Sequence, residues 1–142
     1  MENRLQAMVQ TLFLIILSSC CGYALLWGGR EGRLVSAMFI AASLLTLIAV
    51  KSSGWSTFNL PVFAVDLLLL IGLWAVALNS RFYWPIWICG MHMVSVATHF
   101  GSVLAGDFKP GIYQAMEAFW SIPELGAMVT GIMIDRKAGL LK

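Results

Sequence analysis

The sequence predicts an all-α fold, a transmembrane bundle of five helices in a single domain over residues 1–142. Hydrophobic residues make up 60% of the chain, charged residues only 11%, and the mean hydropathy is +0.85. Soluble domains carry about 25% charged residues, so this chain lacks the polar surface that water requires. The apolar residues fall into five long runs, each near the ~20 residues that cross a bilayer. The lipid bilayer is therefore the expected partner. A formal net charge of only +2, with scattered basic residues, argues against a nucleic-acid partner.

The first predicted span covers 8–27 (MVQTLFLIILSSCCGYALLW). Two other interpretations compete with a retained helix. A cleaved secretory signal needs a basic start, but Arg4 is partly offset by Glu2. The four residues that end at Cys20 resemble a lipobox, whose cysteine would be processed. Because apolar sequence continues through Leu26, an uncleaved spanning helix is the preferred interpretation.

The second and third spans follow two polar segments. Glycines and arginines in 28–33 (GGREGR) predict a short turn, after which the second span covers 34–50. A polar loop is predicted at 51–59 (KSSGWSTFN). The third span covers 60–78 and contains one acidic residue, Asp66. Small residues in the second span permit close helix contacts.

The fourth and fifth spans form a predicted hairpin. A tight turn at 79–81 leads into an aromatic cluster at 82–85, which is typical of a membrane interface and a helix start. The fourth span covers 84–105 and the fifth 112–134. The intervening 106–111 (GDFKPG) predicts a turn, so the two helices should be antiparallel neighbours.

Basic residues predict the orientation of the bundle. Five spans place the two termini on opposite sides of the membrane. Three basic residues share the side of the N-terminus and six share the side of the C-terminus. The positive-inside rule therefore places the C-terminus in the cytoplasm and the N-terminus outside. The six are Arg30, Arg33, Arg81, Arg136, Lys137 and Lys142, and the three are Arg4, Lys51 and Lys109.

Five ionisable residues inside the spans form the candidate site. His92 and His99 are seven residues apart, which is two helical turns, so both project from one face of the fourth helix. Asp66, Glu117 and Glu124 are the acidic residues within spans. An acid at the centre of a spanning helix costs roughly 2.5–3.5 kcal/mol, so each needs a partner or a wet cavity.

Depth sorts these residues into two tiers. At 1.5 Å per residue, Asp66, His99 and Glu117 lie about 10–12 Å from the predicted outer loops, and form the outer tier. His92 and Glu124 lie about 22 Å deep and form the inner tier. The antiparallel hairpin allows histidines and acids to meet tier by tier. Two serines fall near the same stripes, Ser95 and Ser121.

Three functions remain open on this pattern. Asp66, His99 and Glu117 provide a two-carboxylate, one-histidine set for a divalent metal, whereas His92 and Glu124 supply only two ligands. A bis-histidine haem within one chain is excluded because both rings leave the same helix face. A row of titratable groups that extends from the outer side to the middle of the membrane is also what a proton relay requires. The third possibility is an accessory or scaffold subunit in which the polar residues only pack helices. No reaction can be assigned, so enzymatic activity stays open.

Several short motifs resemble a group of short, uncharacterised bacterial inner-membrane proteins. The resemblance covers roughly 61–127 and implies a five-helix bundle in a bacterial cytoplasmic membrane, with no activity attached. Independently, Gly101 and Ala105 fit the small-xxx-small pattern of helix contacts in a homo-oligomer or a larger membrane complex. The motifs that carry the resemblance are Asp66-Leu-Leu-Leu-Leu, Ser80-Arg81-Phe82-Tyr83-Trp84-Pro85, His92, Thr98-His99, Tyr113 and Trp120-Ser121-Ile122-Pro123.

Overall fold

The computed structural model describes the backbone of residues 2–53, 60–104 and 110–141, and the side chains of Arg4, 7–50, 60–101 and 119–141. Within these ranges the chain forms five α-helices and no strand, which confirms the predicted all-α class. The helices are α1 (Glu2–Trp27), α2 (Gly29–Ser53), α3 (Leu60–Asn79), α4 (Trp84–Leu104) and α5 (Pro110–Lys137).

The helices close into a ring. Each packs against the next along the chain, and α1 also packs against α5. At one end of the ring α1, α3 and α5 finish while α2 and α4 begin; we name this the closed end. Here Arg136 lies over the ring of Trp27 at 5.3 Å, and Arg81 donates to the carbonyl of Leu140 at 3.4 Å. These contacts fasten the C-terminal segment to the rest of the bundle.

The apolar core fills the half of the bundle next to the closed end. Its residues recur every three or four positions along each helix, as packing of one helical face requires. Burial of this face removes apolar surface from contact with the surroundings and fixes the helices side by side. The core residues are Leu17, Cys21 and Ala24 on α1, Val35 and Phe39 on α2, Leu69, Leu73 and Ala77 on α3, Phe82 just before α4, Trp84, Ile88 and Cys89 on α4, and Leu125, Met128 and Ile132 on α5.

The outer face of the bundle is apolar. Leu26, Ile48 and Leu78 are among many large hydrophobic side chains that stay exposed. Among the described residues, three helical stretches are long and apolar enough to cross a membrane: Ala7–Trp27, Gly29–Val50 and Leu60–Asn79. Exposure of so many apolar side chains is unfavourable in water and favourable in the hydrocarbon of a bilayer. The chain therefore has the character of a membrane protein.

The turn between α1 and α2 is much shorter than the predicted 28–33, so that prediction is wrong. Helix α2 already begins at Gly29, and the Gly32 amide donates to the Gly28 carbonyl at 2.9 Å. Gly29 has a φ of +64°, a left-handed conformation that glycine adopts without steric penalty, and this single residue reverses the chain. The remaining polar residues of the segment are the first turn of α2.

Other helix ends extend beyond the predicted spans. α1 begins at Glu2, α2 continues through Ser53, and α5 runs from Pro110 to Lys137. Proline is well suited to the first position of a helix because its missing amide hydrogen has no helical acceptor there. The predicted spans followed the apolar part of each helix, and the polar ends continue the same hydrogen-bonded ladder. The predicted loop at 51–59 and turn at 106–111 are therefore wrong at 51–53, which belong to α2, and at 110–111, which belong to α5; residues 54–59 and 106–109 lie outside the described residues.

Close packing at Gly28 provides a first prediction. A Cβ atom here would lie 2.4 Å from the Ala24 carbonyl oxygen and 2.8 Å from the Gly32 Cα, both backbone atoms. Because backbone cannot move aside cheaply, Gly28→Ala should destabilise the protein by about 1–3 kcal/mol in denaturant titration. Gly126→Ala is the matched control, since nothing lies within 4 Å of its Cβ position. The control should leave stability unchanged or raise it by up to about 1 kcal/mol.

Candidate functional site

His99 and Asp66 form the first pair of the site. The His99 Nε2 atom lies 2.7 Å from the Asp66 Oδ2 atom, joining α4 to α3. His99 is fully buried, and its ring contacts the edge of the Phe63 ring with centroids 5.4 Å apart. This places together two of the three outer-tier residues. The side chain of the third, Glu117, lies outside the described residues.

His92 and Glu124 form the second pair. The His92 Nδ1 atom lies 3.1 and 3.2 Å from the two carboxyl oxygens of Glu124, so that α4 is joined to α5. The two residues are 4% and 1% exposed, respectively. Such a buried, polar contact is costly unless the hydrogen bonds are complete. The inner tier therefore forms the expected pair.

The backbone of Asp66 links the two pairs, a contact that the sequence did not indicate. The His92 Nε2 atom lies 3.0 Å from the Asp66 carbonyl oxygen. Asp66 thus contacts His99 through its side chain and His92 through its main chain. A carbonyl oxygen has two lone pairs, so it can accept this bond alongside a helical one. Every residue carries such a carbonyl, which is why no sequence pattern could reveal this one.

These contacts determine where protons lie on His92. A carbonyl oxygen can only accept, so the Nε2 atom must carry a hydrogen and donate it. One further proton then occupies the contact between Nδ1 and Glu124. Either His92 is an imidazolium facing a carboxylate, or a neutral imidazole accepts from a protonated Glu124. Both forms are neutral overall, and they differ only in the position of one proton.

A cavity of about 160 Å³ lies inside the ring and reaches this pair. All five helices contribute to its wall, and none of the described residues that line it is lysine or arginine. At about 30 Å³ each, roughly five water molecules fit this volume. We name it the central cavity. Its polar lining residues are Gln10, Ser43, Thr46, Asp66, His92, Ser95, Ser121 and Glu124.

The central cavity adds residues that the sequence analysis missed. Gln10 on α1, and Ser43 and Thr46 on α2, face the same space as Asp66 and Glu124. A weak signal existed, because each is a polar residue within an apolar run, and Ser43 and Thr46 are three apart on one helix face. These three residues face Asp66 and Glu124 because α1 packs against α5 and closes the ring. That contact joins distant parts of the chain.

The predicted divalent-metal site depends on residues that the structure describes only in part. Among the described side chains, no group of three or more His, Cys, Asp or Glu residues is placed to hold a metal ion. The Nε2 atom of His92 donates its hydrogen to the Asp66 carbonyl, so in this arrangement it cannot bind a metal. The set of Asp66, His99 and Glu117 stays a prediction, since Glu117 is outside the described side chains.

Comparisons of the chain with known protein families, with curated proteins and with solved structures find no match. No relative therefore supplies an activity, a substrate or a partner. The resemblance to short bacterial inner-membrane proteins stays a prediction. The function must be inferred from the contacts of the buried pairs and from the cavity beside them.

Proposed function

We propose that this chain is a five-span protein of the bacterial inner membrane in which the His92–Glu124 pair takes up and releases a proton through the central cavity. Three helical stretches have the length and hydropathy of membrane spans. α4 and α5 complete the ring with them and enclose the same cavity, so we place these two helices in the membrane as well. The charge bias of the loops favours a cytoplasmic C-terminus.

The buried contact between His92 and Glu124 beside the central cavity is the observation that supports this function most. The pair is buried, faces a cavity that can hold water, and differs between its two neutral forms only by the position of one proton. The Asp66 carbonyl holds the outer edge of the His92 ring, so the ring stays aligned with Glu124. A titratable pair held in this way inside a membrane is typical of proton transfer.

The arrangement suggests how a proton would enter and leave. Water in the central cavity would exchange protons with the carboxyl groups of Asp66 and Glu124, which both line it. The core residues next to the closed end are apolar, so transfer to the other side of the membrane requires a movement. Pro123 lies inside α5 beside Glu124 and has no amide hydrogen to donate, so α5 lacks one helical hydrogen bond at this point.

A scaffold function is the second candidate, and it is favoured by a separate observation. The two histidine pairs join α3 to α4 and α4 to α5, which are the contacts that a purely packing role needs. Interhelical hydrogen bonds in membranes average about 0.6 kcal/mol and occur without any catalytic role. The two candidate functions differ in proton release: proton transfer requires the proton to leave the His92–Glu124 pair, and a scaffold function does not.

Proton flux in reconstituted vesicles separates these candidates. Glu124→Gln keeps the shape of the side chain and can still hydrogen-bond His92, but it cannot release a proton. We expect vesicles with the native protein to dissipate an imposed pH gradient, measured with an internal pH-sensitive dye. Glu124→Gln should reduce the rate to that of protein-free vesicles. Equal rates for the native protein and this variant would favour the scaffold.

Glu31→Gln provides the matched control for that measurement. Glu31 is a carboxylate in the first turn of α2, outside the central cavity. Its replacement removes one carboxylate without touching the pair, so flux should equal that of the native protein. A metal requirement is tested in the same vesicles by adding a chelator, which should leave the flux unchanged.

A further inference from the structure

The Asp66 carboxylate has an oxygen that a ligand in the central cavity can reach. Within the described part of the chain, this carboxylate bonds only through Oδ2, to the His99 Nε2 atom. The Asp66 side chain lines the cavity and is 14% exposed. Among the described side chains, Oδ1 is not one of the atoms that are both unpaired and sealed from their surroundings. The cavity therefore offers one accessible acceptor, and a carboxylate oxygen accepts strong hydrogen bonds from cations.

The described wall of the central cavity has no basic side chain that could neutralise Asp66. None of the lining residues that the structure describes is lysine or arginine. With a neutral His99, the Asp66–His99 pair carries one negative charge, whereas the His92–Glu124 pair is neutral in both of its forms. A negative charge away from bulk water is costly unless a cation lies beside it. A ligand with one positive charge should therefore bind better than a neutral or an anionic ligand of the same size.

The size and the walls of the central cavity favour an organic cation over a metal ion. Its volume is about 160 Å³. An engineered apolar cavity of about 150 Å³ in another protein binds benzene, so one six-membered ring fits such a space. Phe13, Phe39 and Leu69 supply apolar walls, whereas a hard divalent ion requires about six oxygen ligands. Gln10 lines the cavity and is itself exposed, which places it at the rim where a ligand would enter.

We propose that the central cavity binds a small apolar monoamine as its ammonium ion. The ammonium donates a hydrogen to Asp66 Oδ1, and the hydrocarbon part lies against the rings of Phe13 and Phe39. The inference deepens the proposed function, because it names a ligand class for the same cavity and rests on that cavity being part of the site. It does not require a proton to leave the His92–Glu124 pair.

Three ligands of nearly equal size and different charge test the inference. We would titrate benzylamine, benzyl alcohol and benzoate into the purified protein in detergent at neutral pH and measure binding by calorimetry, with protein-free detergent as the blank. A hydrogen bond between two charged groups predicts that benzylamine binds about tenfold more tightly than benzyl alcohol. Benzoate should not bind. Equal affinities for the amine and the alcohol, or no binding of the amine, would overturn the proposal.

Two substitutions assign the binding to the central cavity. Asp66→Asn keeps the shape of the side chain and an oxygen for His99 but removes the charge, so the preference for the amine should be lost. Glu31→Gln is the matched control and should keep the preference, because Glu31 does not line the cavity. Ala42→Leu places three more carbon atoms on the cavity wall and should weaken the amine and the alcohol alike. A preference that survives Asp66→Asn would contradict the assignment.

Amine binding and proton flux are measured separately, so the two proposals can fail separately. Selective binding of benzylamine by a protein whose vesicles pass no protons would contradict only the proposed function. Proton flux through a protein that does not distinguish the amine from the alcohol would contradict only this inference.

Discussion

Replacing Glu124 with leucine should lower the free energy of unfolding by about 2–3 kcal/mol. The substitution leaves the Nδ1 atom of His92 without the carboxyl oxygens that now lie 3.1 and 3.2 Å away. The expected loss exceeds the average of about 0.6 kcal/mol for interhelical hydrogen bonds in membranes because leucine leaves a buried polar nitrogen without this partner. Glu124 and His92 are 1% and 4% exposed, so a leucine at position 124 leaves the Nδ1 atom of His92 only the water of the central cavity as a partner.

A double-mutant cycle checks the origin of this loss. His92→Leu alone should cost a similar amount, since Glu124 then loses its partner. The double variant should cost less than the sum of the two single variants, with a coupling energy of about 1–2 kcal/mol. Unfolding in mixed micelles, followed by circular dichroism, gives the three values. Additive losses would mean that the two side chains do not interact in the folded protein.

The second large effect is expected at Asp66. Asp66→Ala removes the carboxylate that lies 2.7 Å from the His99 Nε2 atom, and His99 is fully buried. We expect a loss of stability of about 1–3 kcal/mol, the cost of depriving a buried polar group of this partner. The bond from His92 should survive, because its acceptor is the backbone carbonyl of residue 66, which alanine retains.

Nitrogen NMR of the histidine rings separates these two consequences. In Asp66→Ala the ring signals of His99 should shift, whereas His92 should keep its hydrogen on Nε2. Ser43→Ala is the matched control, as it removes a polar group from the central cavity without touching either pair. A change in the His92 tautomer on Asp66→Ala would show that the side chain, and not the backbone, holds that ring.

Much of the fold follows from local features of the sequence. Five apolar runs predicted the five helices, and counting residues from the predicted outer loops placed His92 level with Glu124 and His99 level with Asp66. Helical periodicity and depth suffice for this, since they depend only on a fixed rise per residue. The segment at 28–33 was misassigned because its composition suits a loop, while one left-handed glycine makes the whole reversal.

The rest of the site depends on tertiary contacts. The bond between His92 and the Asp66 carbonyl uses a group that every residue possesses. The central cavity exists because α1 closes the ring against α5, and this brings Gln10 towards the acids of distant helices. Such contacts join residues far apart in the chain, so spacing along one helix does not reveal them.

The most direct test is infrared difference spectroscopy of the protein in lipid as the pH is changed. A carboxylic acid and a carboxylate absorb at distinct frequencies, so a proton that moves onto or off Glu124 is visible. Proton uptake by the His92–Glu124 pair predicts a titrating carboxyl band that is lost in Glu124→Gln and retained in Glu31→Gln. If the native protein and Glu124→Gln give the same difference spectrum, the pair holds its proton permanently and only packs helices.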